Sequence, residues 1–201
     1  MTILYHDGNR RLQDQFDSRR IADRLEQVTT RTAFTDADRT FIESQCFFFL
    51  ATATAEGHPT CNLKGGNAGF VRVAAPDELV FPDYDGNGMF LSMGNISANP
   101  NIGLLFIDFE KQKRLRVNGT AHASREDPLI KHTVGAQLIV RVEVRAIFPN
   151  CPRYIPKMQL VGPSVYTPRD GIEPPEPAWK SFPDFKDAVH PRQKTHGGSD
   201  K

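Results

Sequence analysis

The loop at residues 83–88 combines residue types that could bind a cation. Its sequence DYDGNG places acids at the first and third positions, an asparagine at the fifth and a glycine at the sixth, like the opening of a calcium loop. A calcium loop closes with a bidentate carboxylate at its twelfth position, where this chain has Gly94. The histidines show no paired spacing and the cysteines no CxxC pair, so the sequence predicts no metal site.

The same loop could instead bind an anion. Asn87, Gly88 and Ser92 stand at the start of a predicted helix, where free backbone N–H groups and a hydroxyl can hold a phosphate. The stretch GGNAG after Lys64 could let a ligand approach the backbone, although a plain turn at a barrel corner is its more common role. These residues alone leave phosphate binding open.

Predicted strands flank both glycine-containing loops. CFFFLATAT and PTCNLK form one predicted hairpin, FVRVA and ELVFP a second, and IGLLFIDF, RLRVNGTAHA and QLIVRVEVRAIF follow as further strands. Leu115 and Val117 alternate with Arg116 and Asn118, as in a half-buried strand. Six or seven strands in hairpins predict a mainly β fold, a closed antiparallel β-barrel with flanking helices.

Helices are predicted at the edges of this barrel. Apolar residues three to five apart over residues 12–28 predict one amphipathic helix that packs on the outside of the barrel. Thr35 and Asp38 form a predicted capping box for a second helix, which ends near Gln45. A third helix begins near Met89 and stops at Asn99-Pro100.

Composition divides the chain into three segments. We expect an N-terminal helical extension at 1–34, the barrel at 35–160, and a proline-rich C-terminal arm with its tail at 161–201. CPRYIPKM, which follows residue 150, is a candidate short helix, whereas YTPRDGIEPPEPAW is too rich in proline for anything but an extended arm. The final KTHGGSDK is predicted to be disordered.

Charge and hydropathy argue against two classes of partner. The 25 basic and 24 acidic residues give a formal net charge of +1, which provides no global field for nucleic acid or an anionic membrane. No apolar run reaches the roughly 18 residues of a membrane-spanning helix, and the first residues lack the apolar centre of a signal peptide. The sequence therefore predicts a cytoplasmic protein.

The order of the motifs resembles a known family. FFFLATATAEGHPTCNLKGGNAGFVRV, then LVFPDYDGNGMFLSMGNISANPNIGLLFIDF, then RLRVNGTA are similar to the FMN-binding split barrels related to pyridoxamine 5'-phosphate oxidase, over residues 36–160. The resemblance implies a six-stranded antiparallel split barrel. It also implies a homodimer that holds FMN in the groove between its subunits.

The resemblance assigns site residues one by one. It places Lys64 near the flavin, residues 81–83 along the isoalloxazine ring, and the start of the third helix at the phosphate. Two residues of a later strand would reach the flavin of the partner subunit. A phosphate favours charge-assisted donors and a flat ring favours an apolar wall, although Phe81 could equally be a core aromatic. The full predicted set is Lys64, Phe81, Pro82, Asp83, Asn87, Gly88, Ser92, Arg116 and Asn118.

The chain departs from the family pattern at Met89, where several relatives carry an arginine. Either Lys64, Arg72 or Arg116 takes over the neutralisation of the phosphate, or FMN binds more weakly, or another ligand occupies the groove. The substrate residues of vitamin B6 oxidases are also missing, which argues against that activity.

The leading hypothesis is an FMN-dependent oxidoreductase of unknown substrate, in which the flavin transfers hydride and no protein residue acts as a catalytic acid or base. Two alternatives stay open. One is a non-catalytic flavin- or nucleotide-binding module, because no substrate-binding set is recognisable. The other is a split barrel that holds haem or a deazaflavin, although no histidine is placed to ligate haem iron.

Overall fold

A computed structural model describes residues 2–189 and shows a single antiparallel sheet of seven strands in the order β2-β1-β5-β6-β7-β4-β3. The fold is mainly β, a split barrel with flanking helices, as predicted, but the sheet has seven strands where the family resemblance implied six. The strands are β1 Phe47–Ala53, β2 Pro59–Gly65, β3 Arg72–Ala75, β4 Glu78–Tyr84, β5 Asn101–Asp108, β6 Lys113–Ser124 and β7 Ala136–Pro149.

The helices lie before the sheet and between β4 and β5. They are α1 Asp7–Gln15, α2 Arg19–Thr29, α3 Asp36–Glu43 and α4 Leu91–Ala98. Two 3-10 helices follow, Pro128–His132 before β7 and Ala178–Ser181 in the C-terminal arm. Within residues 2–189 no helix has the length and apolar character that crossing a membrane requires.

Both predicted hairpins are confirmed. β1 pairs with β2 from Phe47 opposite Gly65 to Ala53 opposite Pro59, and β3 pairs with β4 from Arg72 opposite Val80. Their aromatic and β-branched residues supply much of the core, because alternate side chains of a strand point to the same face.

Aromatic rings fill the centre of the barrel. The buried ring of Phe48 lies 5.0 Å from that of Phe81, 5.3 Å from that of Phe106 and 5.9 Å from that of Phe70. Aromatic rings at these separations gain about 0.5–1.5 kcal/mol per pair beyond the burial of their area. Phe81 is therefore a core aromatic, the alternative that the sequence left open for it.

The N-terminal extension differs from the prediction. Residues 12–28 form two helices rather than one, because Asp17 adopts a left-handed backbone with φ of 49° and interrupts the helical hydrogen bonds. The expected packing on the barrel is also wrong: Leu12, Phe16 and Val28 are 57%, 73% and 68% exposed, and Ala22 is the only buried residue of α1 and α2.

The third helix of the prediction begins later than expected. Phe90 takes a left-handed conformation, with φ of 50°, so α4 starts at Leu91 and Met89 lies outside it on the surface. Met93 and Ile96 are buried beneath the helix, which ends before Asn99-Pro100 as predicted.

Two other predicted helices have opposite outcomes. The Thr35–Asp38 capping box is confirmed, because the Thr35 hydroxyl accepts from the Asp38 N–H at 3.1 Å and the Asp38 carboxylate accepts from the Thr35 N–H at 2.9 Å.

No helix forms over CPRYIPKM, where Tyr154 has φ of 68° and prolines flank the turn. The predicted disordered end, KTHGGSDK, lies outside the described residues.

A buried carboxylate anchors the loop that enters β7. Asp127 accepts hydrogen bonds from the Leu129 N–H at 2.9 Å and from Arg141 Nε at 2.5 Å, and Arg141 also donates to Glu78 at 2.8 Å. The hydrogen bond from the Arg141 guanidinium holds the pKa of the Asp127 carboxyl below its ordinary value. The three side chains connect β4, β7 and the 3-10 helix that precedes β7.

We expect Asp127→Asn to lower the free energy of unfolding at neutral pH by about 1 kcal/mol. This is the contribution of a charged hydrogen bond, reduced because solvent partly screens the Arg141 side chain. Because the folded pKa is lowered, the stabilisation is complete above the unfolded value of about 3.9 and is lost as pH falls through the folded value. Urea denaturation between pH 7 and pH 3 should show the wild-type and variant curves converging in acid. A constant difference across that range would contradict this account.

Candidate functional site

A cavity of about 960 Å³ lies between the β4–α4 loop and the C-terminal arm. Its walls come from the end of β2, from residues 83–93, from the start of β7 and from residues 166–179 of the arm. The volume is at the upper end of the range for small-molecule sites, about 300–1,000 Å³. A cavity of this size leaves room for more than one small ligand.

Five of the nine predicted site residues line this cavity and the other four do not. The lining residues are Lys64, Asp83, Asn87, Gly88 and Ser92. Phe81 and Pro82 are buried in β4, where Phe81 packs against Phe48. Arg116 and Asn118 lie half-buried on the outer face of β6.

Lys64 and Asp83 form an ion pair on the cavity wall. Lys64 Nζ lies 2.7 Å from Asp83 Oδ1, and the two side chains are 21% and 8% exposed. Lys64 comes from the end of β2 and Asp83 from the end of β4, so the pair joins two strands that are not neighbours in the sheet. The pair presents a polar but nearly neutral surface to the cavity.

Asp85 binds partners on the opposite side of the loop. Its Oδ1 accepts from Gln137 Nε2 at 2.9 Å, and its Oδ2 lies 3.3 Å from Nζ of Lys180, whose side chain is 3% exposed. The acids of DYDGNG thus pair with two different lysines instead of converging on one point. Among the described residues no three histidine, cysteine, aspartate or glutamate side chains are grouped to hold a metal ion.

The start of α4 carries the groups predicted to meet a phosphate. Asn87 Oδ1 accepts from the Met89 N–H at 3.1 Å and orders the loop, and Ser92 Oγ accepts from Asn62 Nδ2 at 3.0 Å. No side chain caps α4, so the N–H groups of its first turn have no side-chain acceptor. Such N–H groups, with the partial positive charge of the helix start, favour an anion.

Lys64, Arg72 and Arg116 are the three candidates to neutralise a phosphate in place of the arginine that several relatives carry where this chain has Met89. Of these, only Lys64 lines the large cavity. Arg72 lines a separate cavity of about 340 Å³, and Arg116 donates to Asn150 and lies 6.0 Å from the centre of the Phe148 ring.

Several lining residues were missed by the sequence prediction. Asn62 precedes Lys64 by two positions, so the alternation of β2 could have placed both on one face. Tyr84 also lines the cavity, and burial raises the pKa of its phenol, so it is neutral at physiological pH. Trp179, the sole tryptophan of the chain, lies on the arm, and no local pattern indicates that it lines the same cavity as residues of β4 and α4.

The fold is a split barrel with a large cavity at the end of β4. The model of the family described as pyridoxamine 5'-phosphate oxidase matches residues 34–159, more than half of the chain. The protein therefore belongs to the pyridoxamine 5'-phosphate oxidase family. Among curated proteins, no sequence matches this chain.

Several solved structures are similar to this chain at low sequence identity. HupZ of Group A Streptococcus is 20% identical, covering 58% of this chain and 93% of its own, with a TM-score of 0.48. A proposed pyridoxamine 5'-phosphate oxidase of Lactobacillus delbrueckii is 19% identical, covering 60% and 99%, with a TM-score of 0.49. Rv2991 of Mycobacterium tuberculosis is 16% identical, covering 65% and 94%, with a TM-score of 0.46. These similarities carry no argument about function.

Proposed function

We propose that the protein is a flavin-dependent oxidoreductase that binds FMN in the large cavity. The observation that carries the proposal is the convergence of Lys64, Asp83 and the start of α4 on one cavity within a family whose name-giving member is an oxidase. FMN would supply hydride transfer, and the protein would bind and orient it. A cytoplasmic location stays a prediction.

The residues of the cavity suit different parts of FMN. The free N–H groups at the start of α4, with Asn87 and Ser92 beside them, would hold the phosphate. The Lys64–Asp83 pair would offer hydrogen bonds to a polar ring edge, and Met93 gives an apolar contact. We assign no catalytic acid or base, because hydride transfer by a flavin does not require one from the protein.

We expect FMN to bind at least tenfold more tightly than riboflavin, because charge-assisted hydrogen bonds to the phosphate contribute about 1.5–3 kcal/mol each. Trp179 lines the cavity and is the only tryptophan, so its fluorescence reports binding directly through quenching by a bound flavin. Titration of the flavin-free protein with each compound measures both affinities. Equal affinities would remove the phosphate site at α4 from the proposal.

The absorption spectrum of the purified protein separates the alternatives. Oxidised-flavin bands that bleach on addition of NADH or NADPH support an oxidoreductase, and flavin bands that do not bleach support a non-catalytic module. A Soret band would indicate haem instead of flavin, and a deazaflavin would give its own near-ultraviolet band. Haem is the weaker alternative, because within residues 2–189 no histidine or cysteine lines the cavity.

We further propose that the protein is a homodimer whose flavin site includes residues of both subunits. The outer face of the sheet supports this proposal, because Phe49 of β1, Leu105 of β5 and Phe148 of β7 are only half-buried and lie in one cross-strand row with Arg116 of β6. A sheet that is apolar on both faces needs a cover on each. Burial, and then the neighbouring Arg114, lower the pKa of Arg116 already in the isolated chain.

Mixed dimers test the shared site. Arg116→Ala and Ser92→Ala should each weaken FMN binding by about 1–3 kcal/mol, the cost of losing a charged or buried hydrogen-bond partner. In a heterodimer of the two variants, one site would contain both changes and the other neither, so half of the sites should recover wild-type affinity. A flavin-loaded monomer in native mass spectrometry, or recovery of neither site, would contradict the shared site.

A further inference from the structure

The C-terminal arm is docked on the barrel and forms one wall of the large cavity. Thr167 and Lys180 are 8% and 4% exposed, and Asn67 Nδ2 donates to the Pro168 carbonyl at 3.3 Å. Lysine is almost never buried unless it is paired, and Lys180 pairs with Asp85. The arm therefore has fixed contacts on both sides of its cavity-lining segment.

Gly135 fits the arm closely at one of these contacts. A Cβ atom on Gly135 would lie 2.6 Å from the ring of Pro168, and the residue has φ of 75°, which favours glycine. The arm thus packs directly against the backbone at the start of β7. This contact fixes the position of the next residue along the arm, Arg169.

The cavity side of the arm is largely apolar. A tight turn over Asp170 and Gly171 brings Arg169 and Ile172 together, with the Ile172 N–H 3.2 Å from the Arg169 carbonyl. Tyr166, Ile172, Trp179 and three prolines, at 174, 175 and 177, line the cavity from this side. Aromatic and proline rings present flat surfaces that suit a planar ligand.

Arg169 is the unmatched cation of this lining. The other basic lining residue, Lys64, pairs with Asp83, whereas no carboxylate within residues 2–189 lies at ion-pair distance from Arg169. The three acids of the same arm segment, Asp170, Glu173 and Glu176, are all exposed and so are well screened by solvent, and of these only Glu173 lines the large cavity. A guanidinium half-buried beside an apolar wall favours a carboxylate or phosphate as its partner.

We infer that the arm forms the substrate side of the site and selects a flat, mainly apolar molecule that carries one anionic group, bound by Arg169. The assignment of this side to a substrate rests on the proposed function, in which a flavin would occupy the barrel side of the same cavity. The subsite itself is made of arm residues alone. Its binding can therefore be measured with and without FMN.

Benzoate and its neutral counterpart benzamide are suitable probes, with Trp179 fluorescence as the signal in flavin-free protein and flavin absorbance in FMN-loaded protein. We expect benzoate to bind at least tenfold more tightly than benzamide. Arg169→Gln should abolish this preference without changing FMN affinity, and Arg169→Lys should retain part of it. Glu173→Gln, which removes a charge from the same segment, should keep or strengthen benzoate binding.

The outcomes separate the two proposals. Equal affinities for the two probes, no saturable benzoate binding in the millimolar range, or a preference that survives in Arg169→Gln would overturn the anionic subsite. Failure of FMN to bind wild-type protein would overturn the proposed function instead, while benzoate selectivity of the flavin-free protein would still support the subsite.

Discussion

Replacement of Lys180 by methionine is expected to release the C-terminal arm from the barrel while the barrel stays folded. Removing one partner of a buried ion pair costs about 3–5 kcal/mol when the other charge stays buried. Here the arm can detach and let water reach Asp85, so the substitution should destabilise the docking of the arm and leave the stability of the barrel unchanged. Cleavage by trypsin after Arg169 should become at least tenfold faster, because proteolysis follows the population of the open state.

The matched control is Lys186→Met, which removes a lysine from an exposed position on the same arm. This variant should be cleaved after Arg169 at the wild-type rate. A second readout is the emission of Trp179, which should shift to longer wavelength in Lys180→Met as the indole enters water. Wild-type cleavage and emission in Lys180→Met would show that the Lys180–Asp85 pair does not hold the arm.

Replacement of Gly119 by alanine should destabilise the barrel by about 3 kcal/mol or more, at the upper end of overpacking effects. A Cβ atom at this buried position would lie 2.2 Å from the carbonyl oxygen of Glu143 and 3.1 Å from its carbon. The register between β6 and β7 shifts between Asn118 and Gly119, so the clash falls on a bulge that sets how the two strands pair. Urea denaturation measures the loss.

Gly94→Ala provides the comparison, because a Cβ at Gly94 meets nothing within 4 Å and the residue lies inside α4. Alanine there should raise the free energy of unfolding by about 0.5–1 kcal/mol, through the lower backbone entropy of the unfolded chain. If the two variants had equal stability, steric exclusion at the β6–β7 bulge would not be the reason for glycine at position 119.

Local sequence patterns were sufficient to predict most strands of the barrel. Alternation at Leu115 and Val117 predicted a half-buried strand, and both residues are buried. The Thr35–Asp38 pair predicted a helix start that the hydrogen bonds confirm. Patterns of this kind succeed because strand pleating and helix capping depend on residues within a few positions of one another.

Local patterns failed where a single backbone conformation or a distant partner decides. Nothing in the apolar spacing of residues 12–28 indicates that Asp17 turns left-handed and divides the helix. The local pattern also left open whether Phe81 lies against a ligand or in the core. In the structure Phe81 is buried and packs against Phe48, which in turn packs against Phe106. Packing against residues far along the chain overrides the local preference in such cases.

The sequence by itself determined the succession of the strands along the chain, the family, and the position of the β4–α4 loop with Lys64, Asp83 and Ser92 near it. Only the tertiary structure decided that the arm forms one wall of the cavity beside this loop, and that Lys180 pairs with Asp85 across 95 residues. It also decided that Arg169 lines the cavity with no carboxylate of residues 2–189 at ion-pair distance. The physical reason is the distance along the chain between the residues that interact. Strands and turns depend on residues within a few positions of one another, whereas the contact of a proline-rich segment with the barrel depends on the folded shape of the whole barrel.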